Sequence, residues 1–135
     1  MKKDRSSCPI SFALDLIGDR WSLLIIRDSI VFGKRTYKQY LDSPEAISTN
    51  ILANRLSALT ESGLFEARVL ESDTRVVEYR PTPICFELVH SLVALAKWGF
   101  KAGHKGVHDK KLKAMIKEFE DHPEKMINQL KNINP

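Results

Sequence analysis

The sequence predicts a mainly α-helical domain that carries one small β-hairpin. Three observations predict it: apolar residues recur at helical spacing from Ile10 to Leu59, the pattern changes to two β-rich runs between 64 and 80, and helical spacing returns from Ile84 onward. With 135 residues, the chain is long enough for one domain with an added terminal element, set against roughly 100–200 residues per domain. Its hydrophobic content of 43% fits a globular protein, and its net charge of +4 suits an anionic partner without proving one. No apolar run is expected to reach the ~18 residues of a membrane span, and Met1-Lys2-Lys3-Asp4-Arg5 leads into no signal-peptide core. The chain is therefore expected in the cytoplasm, away from membranes. Cys8 and Cys85 lie far apart, in no metal or disulfide spacing, which fits a reducing compartment.

Ser7 or Cys8 caps a first helix, in which Pro9 stands where a missing N–H costs nothing and Gly18 ends the run of Ile10, Ala13, Leu14 and Ile17. Asp19 caps a second helix from Trp21 to Phe32, apolar enough to be the centre of the core. Thr36-Tyr37-Lys38-Gln39 has the form of a capping box and starts a short helix through Leu41, stopped by Pro44. After a turn from Asp42 to Ala46, Ser48 caps a longer helix that Gly63 ends. This pair makes a helix-turn-helix. Leu64 to Leu70 and Val76 to Arg80, joined by a polar loop at 71–75, read as a hairpin placed where a winged helix has its wing. A long helix follows from Ile84 to Phe100, with apolar residues on more than one face, so a partner subunit is expected to cover what one domain leaves bare. Residues 109–131 form a charged amphipathic segment, with Leu112, Met115, Ile116 and Phe119 on one stripe and Met126, Ile127 and Leu130 beyond a break at Pro123. That segment either packs on a dimer or stays loosely attached.

The helix from Ser48 to Gly63 is the centre of the functional reading. Leu52, Leu56 and Leu59 share one stripe, with Ile51 at its edge, and should be buried. The opposite face carries Asn50, Ala53, Asn54 and Ser57, short side chains with donors and acceptors. A surface helix with nothing to touch usually carries Glu and Lys there. Small hydrogen-bonding residues suit a helix that enters the DNA major groove, where an amide can bond an adenine edge through two atoms. The plain alternative is a surface helix that happens to be rich in Asn and Ser.

Taken together, Cys8-Pro9-Ile10, Ile17-Gly18-Asp19-Arg20-Trp21, Ile47-Ser48-Thr49-Asn50-Ile51-Leu52, Arg55-Leu56, Gly63-Leu64, Val77-Glu78-Tyr79 and Trp98-Gly99 resemble the HxlR family of bacterial, MarR-like winged helix-turn-helix transcriptional regulators. The resemblance spans about residues 7 to 100. It implies a winged helix that dimerises through terminal helices and a homodimer that binds a near-palindromic operator; many such proteins repress nearby genes and some activate them. It also implies that some members answer oxidants or electrophiles through the cysteine before the first proline, here Cys8. The chain divides accordingly into a DNA-binding and dimerisation domain at 1–103 and an amphipathic helical extension at 104–135. One departure stands at the end of the wing: the family's Tyr-x-Leu-Thr followed by Gly is replaced by Tyr79-Arg80-Pro81-Thr82, with Cys85 near the usual Gly.

On this reading Thr49, Asn50, Ala53 and Asn54 face base edges, and Ser48 serves a phosphate through its hydroxyl and the helix N-terminus. Lys34, Arg35, Tyr37 and Lys38 stand where a helix-turn-helix crosses the DNA backbone, or else form a solvated basic turn. Arg55 serves either a phosphate or an ion pair. At the wing tip Arg75 is suited to a narrow minor groove, while Glu71 and Asp73 would repel phosphates. Cys8 is either an oxidant or electrophile sensor or a small packed thiol, and Cys85 is assigned to the core. The expected partners are double-stranded DNA, a second copy of the chain, and an oxidant or small-molecule effector. No enzymatic motif is present: there is no G-x-S-x-G, P-loop or H-E-x-x-H, and no cofactor is expected. His104 and His108 have the spacing of a metal pair, but Gly106 interrupts the helix between them, so no metal site is assigned. The competing reading is a winged-helix module that binds protein instead of DNA.

Overall fold

Short polar side chains open the two helices of the helix-turn-helix, at Thr36 and Ser48. The computed structural model describes residues 5–103 and 110–133. Helix α1, Pro9–Ile17, has its proline in the first turn and ends at Gly18, whose N–H donates to the Leu14 carbonyl at 2.8 Å. A Cβ on Gly18 would lie 2.3 Å from that same oxygen, so the close turn into the next element requires glycine. Asp19 then does the capping expected of it. Its carboxylate accepts from the Trp21 and Ser22 N–H groups at 2.9 and 3.0 Å and from the Ser22 hydroxyl, and so opens α2, Ser22–Phe32. Helix α2 buries Ile25, Ile26, Ile30 and Val31 together with Ser22, Asp28 and Ser29, and is the central helix.

Helix α3, Tyr37–Leu41, carries the predicted capping box between Thr36 and Gln39. Helix α4, Thr49–Glu61, starts at Ser48, whose Oγ accepts from the Ile51 N–H at 3.3 Å. It ends at Gly63 in the left-handed region, φ 80°, with the Leu64 N–H reaching back to the Leu59 carbonyl at 3.0 Å. Leu52, Leu56 and Leu59 are buried as predicted. Each leucine taken fully out of water contributes roughly 1.5–3 kcal/mol, which fixes which face of α4 points inward.

Strands β1, Phe65–Leu70, and β2, Asp73–Pro81, pair antiparallel from Phe65↔Pro81 to Leu70↔Asp73, with an irregularity at Val69/Leu70. The hairpin is tighter than the expected five-residue loop: β2 already starts at Asp73, and only Glu71 and Ser72 turn the chain. Thr74, Val76 and Val77 favour extended backbone, which carries the strand back to the turn. The junction after the wing is held by Thr82, whose hydroxyl donates to the Gly63 carbonyl at 2.7 Å and whose N–H donates to the Leu64 carbonyl at 3.0 Å.

The single long helix expected from 84 to 100 is two, α5 at Pro83–Phe86 and α6 at Val89–Lys101. A tightened turn at Glu87 and Leu88 separates them, where the Leu88 N–H bonds the Cys85 carbonyl three residues back. Against the expectation that no run reaches that length, Pro83–Lys101 has 19 residues at mean hydropathy 1.2 and meets the length and apolarity of a membrane span. Its inner face, Val89 and Val93, joins the core; Ile84, Leu95 and Trp98 are exposed.

Beyond it, α7 at Lys110–Asp121 and α8 at Pro123–Ile133 break at Pro123 as expected. Ile116, Phe119, Ile127 and Leu130 enter the same hydrophobic cluster as Phe86, Val89 and Val93. The extension therefore folds back on the chain's own core, where the His90 ring meets Phe119 edge-on at 4.9 Å.

Candidate nucleic-acid interface

Three anchors set the pose of α4. The buried leucines fix its rotation. The Tyr37 hydroxyl donates to the Thr49 carbonyl at 3.1 Å and ties α3 to its first turn. Arg55 pairs with Asp19, Nη1 to Oδ1 3.3 Å, and ties its middle to the loop before α2. Of the two roles open to Arg55, the geometry supplies the ion pair.

With α4 so held, Ser48, Thr49, Asn50, Ala53, Asn54 and Ser57 are all exposed. Among the described residues Asn50 makes no side-chain hydrogen bond, so its donor and acceptor are both available. Asn54 differs. Its Oδ1 already accepts from the Arg55 Nε and Nη2 at 3.0 and 2.6 Å, which occupies the acceptor that a two-point contact to adenine requires. Ser48 accepts from the helix and keeps its hydroxyl proton for an outside acceptor.

The basic residues before and within α3 separate into two groups. Lys38 is exposed and has no ion pair among the described residues. Lys34 and Arg35, expected at the DNA backbone, make contacts within the chain. Lys34 Nζ lies 3.3 Å from Asp28 Oδ2 and 2.7 Å from the Asp42 carbonyl. Arg35 Nη1 donates to the Ser29 carbonyl and hydroxyl, each at 3.0 Å, and burial lowers its pKa, with the neighbouring Arg80 charge adding to the effect. For Lys34 the physical reason is Asp28, a carboxylate buried within α2 that requires positive partners. Arg27 supplies a second, at 2.9 Å, and also pairs with Glu45 at 3.4 Å. One buried carboxylate thus links α2, the loop into α3 and the turn before α4. Sequence reasoning missed this hub; its signal was an aspartate in the middle of an apolar helix.

Two further features were not foreseen. Ala46, in the turn before α4, has φ 55°, a left-handed conformation that costs a residue with a Cβ roughly 1–2 kcal/mol. Tyr40 is buried, with its hydroxyl 2.9 Å from both the Lys34 and Tyr79 carbonyls, and joins α3 to the wing; burial raises its pKa to about 12.

On the wing, Arg75 extends into solvent with its side chain 88% exposed, yet it grips Asp73 at 2.9 and 3.0 Å. Arg68 with Glu66 and Arg80 with Glu78 repeat that spacing of two along a strand face. Cys8 is exposed at the N-cap of α1, beside a hollow of about 280 Å³ lined by Ser6, Ser7, Pro9 and Phe12. Cys85 is buried, which pushes its thiol up to about 12 and keeps it protonated, in line with its assignment to the core. His104 and His108 lie outside the described residues.

Residues 16–107 match the sequence model of the HxlR-like helix-turn-helix family. The chain belongs to that family. Among curated relatives, an uncharacterized HTH-type transcriptional regulator of Mycobacterium tuberculosis is 40% identical over 87 residues, 64% of this chain and 54% of that one. Another from Synechocystis is 34% identical over 92 residues, 68% of this chain and 67% of that one. The chain thus spans about half the length of the mycobacterial relatives it matches. Among solved structures, PA1607, a candidate transcription factor, aligns with TM-score 0.70 and 36% identity over 78% of this chain and 72% of that one. The reduced form of the Bacillus subtilis transcriptional regulator YodB aligns with TM-score 0.60 and 28% identity over 75% of this chain and 99% of that one. The HxlR-like fold is mainly helical with a two-stranded wing, and its helix-turn-helix is α3 and α4.

Proposed function

We propose that this HxlR-like chain is a sequence-specific DNA-binding transcriptional regulator, not an enzyme, that works in the cytoplasm as a homodimer, most simply a repressor, on a near-palindromic operator. The observation that carries this reading is the outward face of α4: Thr49, Asn50, Ala53, Asn54 and Ser57 are exposed and free of long charged side chains, on a helix whose rotation three leucines fix. Asn50 is the adenine reader. Thr49 and Ala53 flank it against base edges, and Asn54 contributes its amide nitrogen. Ser48 and Lys38 meet the phosphates, and Tyr37, whose hydroxyl proton goes to the Thr49 carbonyl, reaches one only by exchanging that bond. Arg75 reaches the minor groove by exchanging Asp73 for the nucleic acid. Lys34 and Arg35 hold the motif together and do not touch DNA.

Residues 1–103 supply the DNA-binding and dimerising unit, and 104–135 are an appended extension. The dimer forms through α1 and α6, because Ile10, Leu14, Leu95 and Trp98 leave an apolar surface on these helices that water should not keep. The same surface accounts for the apolarity of Pro83–Lys101 without a membrane. One observation favours the alternative of a protein-binding winged helix: the wing carries Glu66, Glu71, Asp73 and Glu78 against only Arg68, Arg75 and Arg80. Salt separates the two. Binding to duplex DNA that weakens steeply with salt, by a slope that falls by about one when Lys38 becomes Ala, supports the DNA reading, and a salt-insensitive curve refutes it.

Cys8 is the place for an oxidant or electrophile effector, being exposed where Cys85 is buried; the YodB relative is itself known in a reduced form. Diamide is expected to release DNA from the wild type and not from Cys8→Ser. Equal release from both excludes Cys8 as the sensor.

A further inference from the structure

The C-terminal hairpin leaves an open apolar hollow against the central helix. Val31 of α2, Ala114, Met115 and Glu118 of α7, and Met126 and Leu130 of α8 line a cavity of about 230 Å³. Val31, Met115 and Leu130 are themselves buried and form its floor, while Ala114 and Glu118 stand exposed at its open rim. An apolar cavity of ~150 Å³ already holds a benzene molecule, so this one has room for an aromatic ring with a short tail. Two methionines among six lining residues give it adaptable, polarisable walls that suit ring edges. Five of the six lie beyond residue 107, where the HxlR-like match ends, so the cavity is a feature of this chain's extension and not of the shared domain.

Its one charged group decides the ligand. Glu118 is the only ionisable side chain in the lining, no cation accompanies it, and it forms no ion pair among the described residues. A neutral apolar molecule would leave that carboxylate unused, and an anion would be repelled by it. We propose that the cavity binds a small hydrophobic amine, protonated at neutral pH, with its ring between Val31, Met115, Met126 and Leu130 and its ammonium donating to Glu118 at the rim. The site goes beyond the DNA-binding reading and does not depend on it.

The test uses the full chain without DNA, with 13C-labelled methionine methyls. Of the three methionines, Met115 and Met126 line the cavity and Met1 lies outside the described residues. The probes are 2-phenylethylamine, 2-phenylethanol and phenylacetate, matched in ring and differing in charge. The amine is expected to shift the Met115 and Met126 methyls in a saturable way, with the alcohol and the carboxylate at least about tenfold weaker, the worth of one hydrogen bond to a charged group. Glu118→Gln is expected to bring the amine down to the alcohol's affinity. Ala114→Phe, at an exposed helical position, is expected to fill the cavity and abolish binding, with the circular dichroism spectrum and melting temperature of the folded protein retained. Absence of saturable shifts overturns the site. Equal binding of amine and alcohol, or indifference to Glu118→Gln, overturns the assignment of a cationic ligand. Because no DNA is present, either failure leaves the nucleic-acid reading untouched.

Discussion

Asp19 shows how much one short side chain can organise. Burial works to raise its pKa, but the Ser22 hydroxyl, the Trp21 and Ser22 N–H groups and the Arg55 charge outweigh it, and the pKa falls below the ordinary 3.8. A depressed carboxylate contributes stability that is complete above its unfolded value and is lost as the pH falls through the folded one. Asp19→Ala should therefore cost about 1 kcal/mol at neutral pH, the usual worth of a cap. The gap should close in urea melts run progressively below pH 3.8; a gap that stays constant into acid would deny Asp19 this role. Ala46 works in the opposite direction. Relief of its left-handed strain, roughly 1–2 kcal/mol, exceeds the roughly 0.4–1 kcal/mol of extra chain entropy that glycine adds to the unfolded state. Ala46→Gly should accordingly raise the melting temperature, and a lower one would show that the turn does not carry the strain. The two sites differ in legibility. Asp19 before an apolar run is a recognisable cap, whereas nothing in Ser43-Pro44-Glu45-Ala46 announces which residue takes the positive φ.

At the scale of elements, the readable features were those that one helix or strand settles alone. The leucine stripe of α4, the capping box of α3 and the break at Pro123 depend on neighbours within a few residues, and each stands where periodicity and capping place it. What was misread depends on contacts between elements. Lys34 and Arg35 look like solvated cations until α2 brings Asp28 and Ser29 beneath them. The run from Ile84 to Phe100 looks like one helix because a tightened turn at Glu87 leaves no mark on the apolar pattern. For α6 the consequence is a measurable assembly. Its inner face packs on the core and on α7, and Trp98, 69% exposed, is left on the outer side. A tryptophan at the centre of an interface is commonly worth at least about 2 kcal/mol, or some thirtyfold in dissociation constant. Trp98→Glu should therefore shift sedimentation from dimer to monomer with the melting curve little changed. An unchanged dimer would place the interface elsewhere.

Across the whole molecule, one chain of contacts runs from the core to the proposed reading surface. Leucines beneath α4 set its rotation, Tyr37 and Arg55 set its position, and Asp28 joins the turn before it to the central helix. The extension closes the opposite side by folding onto α5 and α6, an outcome the amphipathic stripe permitted but did not choose, since the same apolar face would have suited a partner equally well. Two such domains joined through α1 and α6 would present two copies of α4 to one duplex, and half-sites about one helical turn apart are the geometric consequence. The most direct test is selection of preferred sites from random duplexes by the wild-type chain and by Asn50→Ala, side by side. The wild type should select a near-palindrome, and the variant should lose, by about 1–3 kcal/mol, its preference at one symmetric pair of positions while keeping the rest. Identical preferences from both proteins, or none from either, would contradict the claim that the outward face of α4 reads DNA.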